Sequence, residues 1–223
     1  MSLEQLIARL GVAIDLELLE QALTHPSHSY ERGGRSYQRL EFLGDSILGL
    51  VVAEHVYSRF PDWDEGELTK LKNSLVSAQS LSVAAERLDL GPLMKLGKGE
   101  ERTRGREKMN LLADAMESVI GASYLSGGLE VARRVVEVAV LPLMDNPELI
   151  RESADPKTSL QERLARERLD SPRYEVSAEG PDHAREYTAV VFSGNSELGS
   201  GTGSTRRRAE TAAAATALRK LNA

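Results

Sequence analysis

Two pairs of carboxylates in this chain sit where carboxylates are rarely placed. Glu41 and Asp45 lie four residues apart in the run Leu40-Glu41-Phe42-Leu43-Gly44-Asp45-Ser46, which continues through Ile47, Leu48, Gly49, Leu50, Val51, Val52 and Ala53. At 3.6 residues per turn the two acids share one helical row, and the rest of that row is apolar. No Lys or Arg occurs between Arg39 and Arg59, so neither acid has a cationic partner within its own helix. The stretch from Asn110 to Leu125 repeats the arrangement with Asp114 and Glu117, three apart on one face, and again no base. Helices apolar nearly all round are buried helices, and buried carboxylates need a cation or a metal. Two chemistries satisfy that need. Either the acids pair with Arg or Lys from other helices, or the two helices pack and hold a divalent ion among four acids that cannot all stay ionised alone. Hard carboxylate oxygens, with no Cys in the chain and no clear His pair, select Mg²⁺ or Mn²⁺ over zinc. Such an ion polarises phosphate oxygens and activates water, which suits phosphodiester hydrolysis.

These helices must be positioned by the rest of the chain. Residues 2–9 and 16–23 have the apolar stripe of short helices, with Ser2 and Gln5 as a capping box. Thr24 to Ser29 is expected as a loop because Pro26 pushes its predecessor off helical geometry, and Arg32-Gly33-Gly34-Arg35 prolongs it. The first acid-bearing helix then spans about 37–60 and ends at Pro61. Asp64 and Glu67 cap the next, and another follows at about 78–88. Residues 96–109 are charged and punctuated by Gly, and read equally as a mobile surface loop or as a phosphate-contacting one. Ala113, Ser118 and Gly121 are small enough to let another helix approach the second acid pair. Gly127-Gly128 ends that helix, and a last amphipathic one covers about 129–143. Nothing before residue 150 reads as a strand.

After Pro147 and Pro156 the pattern changes. A helix from Pro156 is followed by three strand-like segments at 173–178, 186–192 and 197–202, then by an Ala-rich helix from Thr205 to Leu221. The charge divides at the same place. Residues 1–150 hold 16 Lys and Arg against 23 Asp and Glu, a balance of −7, whereas residues 151–223 hold 12 against 11, a balance of +1. The basic cluster Arg206-Arg207-Arg208 falls at a helix start, where cations oppose the helix dipole. That local cost points to an anionic ligand, against the alternative of an exposed charged turn. Zero Cys removes disulfides and thiol chemistry and fits a reducing compartment. No signal-peptide pattern opens the chain and no apolar run reaches membrane length, so a soluble cytoplasmic protein is expected.

The run Leu40-Glu41-Phe42-Leu43-Gly44-Asp45-Ser46 resembles the signature of bacterial ribonuclease III. Residues 156–223, with Gly201-Thr202-Gly203-Ser204-Thr205-Arg206-Arg207-Arg208-Ala209-Glu210 and the alanines after it, look like its double-stranded-RNA-binding domain. The resemblance implies an all-α ribonuclease III endonuclease domain over 1–148, a linker over 149–155 and an αβββα double-stranded-RNA-binding domain over 156–223. It implies a homodimeric, Mg²⁺-dependent endoribonuclease that cuts both strands of duplex RNA, leaves 5′-phosphate and 3′-hydroxyl ends with short 3′ overhangs, and processes rRNA, mRNA and other precursors. By position, Glu41, Asp45, Asp114 and Glu117 match the family's metal-binding acids, with Asp45 and Glu117 in the catalytic role and Glu117 also helping to position the attacking water. Glu65 matches a further acid facing the dimer cleft. Gln38 stands where the family often has Glu; it accepts a hydrogen bond but supplies no charge. Phe42 resembles the aromatic that plugs the partner subunit, the alternative being an ordinary core Phe. In the binding domain the family reads duplex RNA by shape across two minor grooves. Thr158, Gln161 and Glu162 match one contact region; Pro181, Asp182 and His183 match the second, with a solvated loop His as the alternative for His183. Arg206, Arg207 and Arg208 match the phosphate clamp, and Glu210 stands where a basic residue is common. His25, His28 and His55 are expected to be surface or structural. A second function class is a duplex-RNA-binding regulator that does not cleave. Gln38 leans that way, and the complete set of four acids leans against it.

Overall fold

The structure, a computed structural model, describes residues 1–145, 155–180 and 185–222. The chain forms two compact units, Met1–Asn146 and Pro147–Ala223. Among the described residues no helix is long and apolar enough to cross a membrane.

The first unit is helical: α1 Leu3–Leu10, α2 Leu16–Ala22, α3 Pro26–Arg32, α4 Gln38–Arg59, α5 Glu65–Leu75, α6 Ala78–Arg87, α7 Lys98–Arg102 and α8 Met109–Ala139, with short 3₁₀ turns at Gly91–Leu93, Gly105–Glu107 and Leu141–Asp145. The capping boxes expected at Ser2/Gln5 and Asp64/Glu67 both form. α8 is interrupted at Gly127 and Gly128, where Gly128 takes a φ of +77° that a side chain would resist. The core lies where α4 and α6 pack against α8. Leu48, Val52, Leu81, Met116, Val119 and Ile120 are fully or almost fully buried there.

Three expectations need correction. Residues 24–29 do not stay a loop, because Pro26 begins α3. A proline restricts the residue before it but fits the first helical position, where its missing N–H is not needed. His25 takes the extended geometry and caps the helix, its Nδ1 accepting from Ser27 N at 3.1 Å. Residues 96–109 are not loose either. α7 starts where Glu31 Oε1 accepts from Lys98 N at 2.9 Å, and the charges pair among themselves, Arg106 with Glu101 and Lys108 with Glu100. Arg106 also donates to the carbonyls of Gly91 and Pro92, both at 2.9 Å. Finally, α4 is not buried all round, since Phe42, Leu50 and Tyr57 are exposed. Helical periodicity distinguishes faces and does not reveal what covers each of them.

The second unit is α+β. α9 Pro156–Arg166 leads into an antiparallel sheet ordered β1-β2-β3, with β1 Arg173–Glu179, β2 Glu186–Ser193 and β3 Ser196–Gly203, and α10 Arg206–Asn222 closes it. Ala189 and Val191 of β2, Leu160 and Leu164 of α9, and Ala209, Ala213, Ala217 and Leu218 of α10 form the core. Alternate residues of β3 carry no side chain where it meets α10. A Cβ on Gly201 would lie 2.4 Å from Ala213 N, and one on Gly199 2.8 Å from Ala217 N. The helix therefore rests almost on the strand's main chain. The linker expected at 149–155 falls outside the described residues except for Asp155, which caps α9 by accepting from Thr158 N at 3.2 Å.

Candidate active site

The α4–α8 crossing is a contact between backbones. A Cβ on Gly44 would sit 1.8 Å from Glu117 O, and a Cβ on Gly121 would sit 2.2 Å from Leu40 O. Only glycine at both positions permits this approach. The approach in turn sets Glu41, one turn before Gly44, against Asp114 and Glu117. One carboxylate oxygen from each of these three residues lies within 4.8 Å of the others. All three side chains are half-buried. Asp45 is exposed and is not a member of this group. Its charge is still felt, because it helps raise the pKa of both Glu41 and Glu117.

The electrostatics are those of crowded acids. Burial first, then the charges of Asp45, Asp114 and Glu41, push the Glu117 carboxyl up to about 8. Burial, then Asp114 and Asp45, push Glu41 up to about 7. Burial raises Asp114 too, opposed by a hydrogen bond from Tyr37, whose phenol donates to Asp114 Oδ2 at 3.0 Å. Among the described residues no Lys, Arg or His forms an ion pair with any of the three. The alternative of pairing with bases from other helices is therefore not found. Three hard oxygen donors that converge without a cation fit a divalent ion of the Mg²⁺ or Mn²⁺ type.

The remaining described residues singled out in this unit make no hydrogen bond or ion pair with the three acids. Glu65 opens α5, is exposed, and accepts from Thr69 Oγ1 at 3.0 Å. Gln38 opens α4, is exposed, and its Oε1 accepts from Ser36 Oγ at 3.4 Å. Phe42 is 78% exposed, so the core alternative fails. It borders a groove whose apolar lining is Leu18, Leu40, Leu43 and Leu125. His25 and His28 stand on α3 and at its cap, and His55 lines a groove beside Glu54 and Arg133, away from the acids. Sequence reasoning missed Tyr37 and Gly44. The aromatic three residues before the signature, and the glycine placed between its two acids, were the available signals.

In the second unit, Thr158, Gln161 and Glu162 are exposed on α9, spaced to share a face. Pro181, Asp182 and His183 lie outside the described residues. Arg206, Arg207 and Arg208 form the first turn of α10, all exposed, with Thr205 Oγ1 accepting from Arg208 N at 3.2 Å. Glu210 does more than interrupt a basic run. Its carboxylate bridges Lys157 of α9, at 2.7 Å, and Arg206, at 3.0 Å. These bonds hold its pKa below the usual range.

A family model described as Ribonuclease-III-like matches residues 15–144, the part of the chain that carries the three acids. The chain belongs to the ribonuclease III family. The likeness continues through the C-terminal unit, where the double-stranded RNA binding motif matches residues 156–221. Ribonuclease 3 of Mycobacterium bovis is 46% identical, covering 99% of this chain and 93% of that protein. Ribonuclease 3 of Streptomyces coelicolor is 44% identical, covering 96% and 78%. The solved nuclease domain of Campylobacter jejuni ribonuclease III is 36% identical with a TM-score of 0.59, covering 63% of this chain and 99% of that one. The protein is thus a ribonuclease III family endoribonuclease acting on double-stranded RNA, with a helical nuclease unit and a C-terminal RNA-binding unit.

Proposed function

We propose that this chain, as a homodimer, cuts both strands of duplex RNA by Mg²⁺-dependent phosphodiester hydrolysis. The products carry 5′-phosphate and 3′-hydroxyl ends with short 3′ overhangs, and the cellular task is processing of rRNA, mRNA and other precursors in the cytoplasm. The functional divisions are 1–148 for the nuclease, 149–155 for the linker and 156–223 for RNA binding. The single observation that carries this reading is the convergence of Glu41, Asp114 and Glu117 without a cation. Those residues hold the ion, with Mn²⁺ able to substitute for Mg²⁺. A divalent ion there supplies the positive charge that polarises a phosphate oxygen and acidifies an attacking water. Glu117, its carboxyl pushed up to about 8, orients that water, and Asp45 contributes negative charge from the exposed side. Glu65 and Gln38 line the approach to the cut, Gln38 by hydrogen bonding alone.

The dimer is supported by Phe42, an exposed aromatic beside an apolar groove, which suits insertion into a second copy. The Campylobacter jejuni nuclease-domain structure concerns a region of that protein involved in dimer formation. RNA is held through Arg206, Arg207 and Arg208 on phosphates, Thr158, Gln161 and Glu162 in one minor groove, and Asp182 and His183 in the next.

The test is purified full-length protein on long duplex RNA with Mg²⁺, with and without chelator, beside Glu117→Gln, with the product ends mapped. The wild type cuts only with metal, and Glu117→Gln binds RNA but fails to cut, by at least about a hundredfold. Equal cutting by the variant sinks the metal-site reading. Metal-independent binding by the wild type with no products at all would favour the regulator class instead.

A further inference from the structure

Tyr37 links both helices of the acid cluster, bonding to the backbone of Glu41 and to the carboxylate of Asp114. It stands directly before α4 and is 2% exposed. Its N–H donates to Thr24 O at 2.9 Å, and its carbonyl accepts from Leu40 N at 2.7 Å and Glu41 N at 3.0 Å. The same carbonyl accepts from Ser118 Oγ, the neighbour of Glu117, at 3.5 Å. The phenol crosses to α8 and donates to Asp114 Oδ2 at 3.0 Å. The His25 ring meets the tyrosine edge-on at 5.6 Å and closes the far side.

The chemistry of the donor matters. A buried hydroxyl is costly unless it is hydrogen-bonded, so a phenylalanine would fill this space more cheaply if packing were the only requirement. A Lys or Arg in the same place would orient Asp114 equally well but would neutralise the cluster and compete with a divalent ion. A phenol orients the carboxylate while leaving its charge intact. It engages Asp114 Oδ2 without bringing a positive charge into the cluster.

We propose that Tyr37 is a positioning residue of the divalent-metal site, fixing the orientation of the Asp114 carboxylate from outside the ligand set. The proposal rests on the metal-site reading given above. Partners that orient metal-ligating side chains in this way typically change metal affinity by 10–100-fold when removed.

The experiment is Mn²⁺ titration of metal-free, full-length protein, read by the loss of the free-ion electron paramagnetic resonance signal. The samples are the wild type, Glu117→Gln, Tyr37→Phe, Asp114→Asn and the Tyr37→Phe/Asp114→Asn double variant. Tyr37→Phe is expected to bind Mn²⁺ about tenfold more weakly, with an unchanged melting temperature in chelator and unchanged RNA affinity without metal. On the Asp114→Asn background the same change is expected to add nothing, because Tyr37 acts through Asp114. Equal Mn²⁺ affinity for Tyr37→Phe and wild type overturns the proposal, as does a lowered melting temperature with unchanged affinity. A tenfold loss that persists on the Asp114→Asn background overturns it too. Should Tyr37→Phe fail to fold, 3-fluorotyrosine at position 37 keeps the ring and strengthens the donor; an Mn²⁺ affinity identical to wild type then overturns the proposal. If wild type and Glu117→Gln bind Mn²⁺ alike, the metal-site reading itself fails and takes this one with it. If those two differ while Tyr37→Phe matches wild type, only the role of Tyr37 falls.

Discussion

Glu117 and Glu41 are held protonated well above the ordinary carboxylate range, at about 8 and about 7, by burial and then by the charges of Asp45 and Asp114. This has a thermodynamic consequence for the metal-free protein. Between the unfolded-state pKa near 4.5 and these native values, the folded chain binds more protons than the unfolded one, so stability falls as pH rises. The penalty is absent only below the unfolded-state value near 4.5, grows from there, and is complete above about pH 8. We expect the melting temperature in chelator to drop between pH 5 and pH 8, Glu117→Gln to flatten part of that slope, and Mg²⁺ to restore stability most at the alkaline end. Thermal unfolding of both proteins at four pH values, with and without Mg²⁺, measures it. A slope identical in wild type and Glu117→Gln would show that the carboxyl is not perturbed. At this scale the acids were legible in the sequence because no Lys or Arg lies between 40 and 58 or between 110 and 125, which is a local property. Tyr37 was not, because its partner lies 77 positions away. The exposure of Asp45 was not either, since helical spacing assigns a row but not a depth.

The elements position these groups through main-chain contact. Gly44 and Gly121 bring α4 and α8 so close that a methyl group at Gly44 would overlap the Glu117 carbonyl at 1.8 Å. The obstacle is backbone rather than a movable side chain, so the helices themselves must separate. We expect Gly44→Ala to cost about 3 kcal/mol of stability, at the upper end of overpacking effects, and to abolish cleavage by moving Glu117 away from Glu41. Chemical denaturation together with the RNA assay tests this, and a stable, fully active Gly44→Ala protein would refute the backbone contact. The order of helices and strands was largely readable, because apolar periodicity and capping residues are local signals. α3 was not, because Pro26 carries two opposite meanings, breaker and first helical residue, and only the cap formed by His25 decides between them.

For the whole molecule, the exposed Phe42 and the basic start of α10 have effects measured in solution. Phe42→Ala should shift the protein toward monomer in sedimentation equilibrium at micromolar concentration, weakening the dimer at least tenfold, as loss of a central aromatic anchor does. An unchanged dimer would leave Phe42 outside the interface. RNA binding should weaken steeply with salt as phosphate contacts release counterions. Replacing Arg206 and Arg207 by Ala should reduce the slope of log affinity against log salt by about two contacts' worth. An identical slope would locate the phosphate clamp elsewhere, for example at residues 102–108. The family resemblance suggested that Phe42 faces a partner, but helical periodicity could not separate that from a core Phe, because an apolar residue on a helix looks the same in either setting; its 78% exposure removes the core alternative.

The meeting of β3 with α10 has a further consequence. With Gly199 and Gly201 on the strand and Ala213 and Ala217 on the helix, the separation of the two is set by main chain alone. The bridge from Lys157 through Glu210 to Arg206 then ties the start of α9 to the start of α10. The RNA-binding unit is in effect a caliper. One jaw is the polar face of α9 and the other is the arginine turn; main-chain contact seats α10 on β3, and the Lys157–Glu210–Arg206 bridge sets its link to α9. A reader that identifies its ligand by groove spacing rather than by base sequence gains its discrimination from that rigidity. On the proposed reading, with α9 and Arg206–Arg208 as the RNA contacts, the glycines of β3 bear on duplex recognition through the placement of α10.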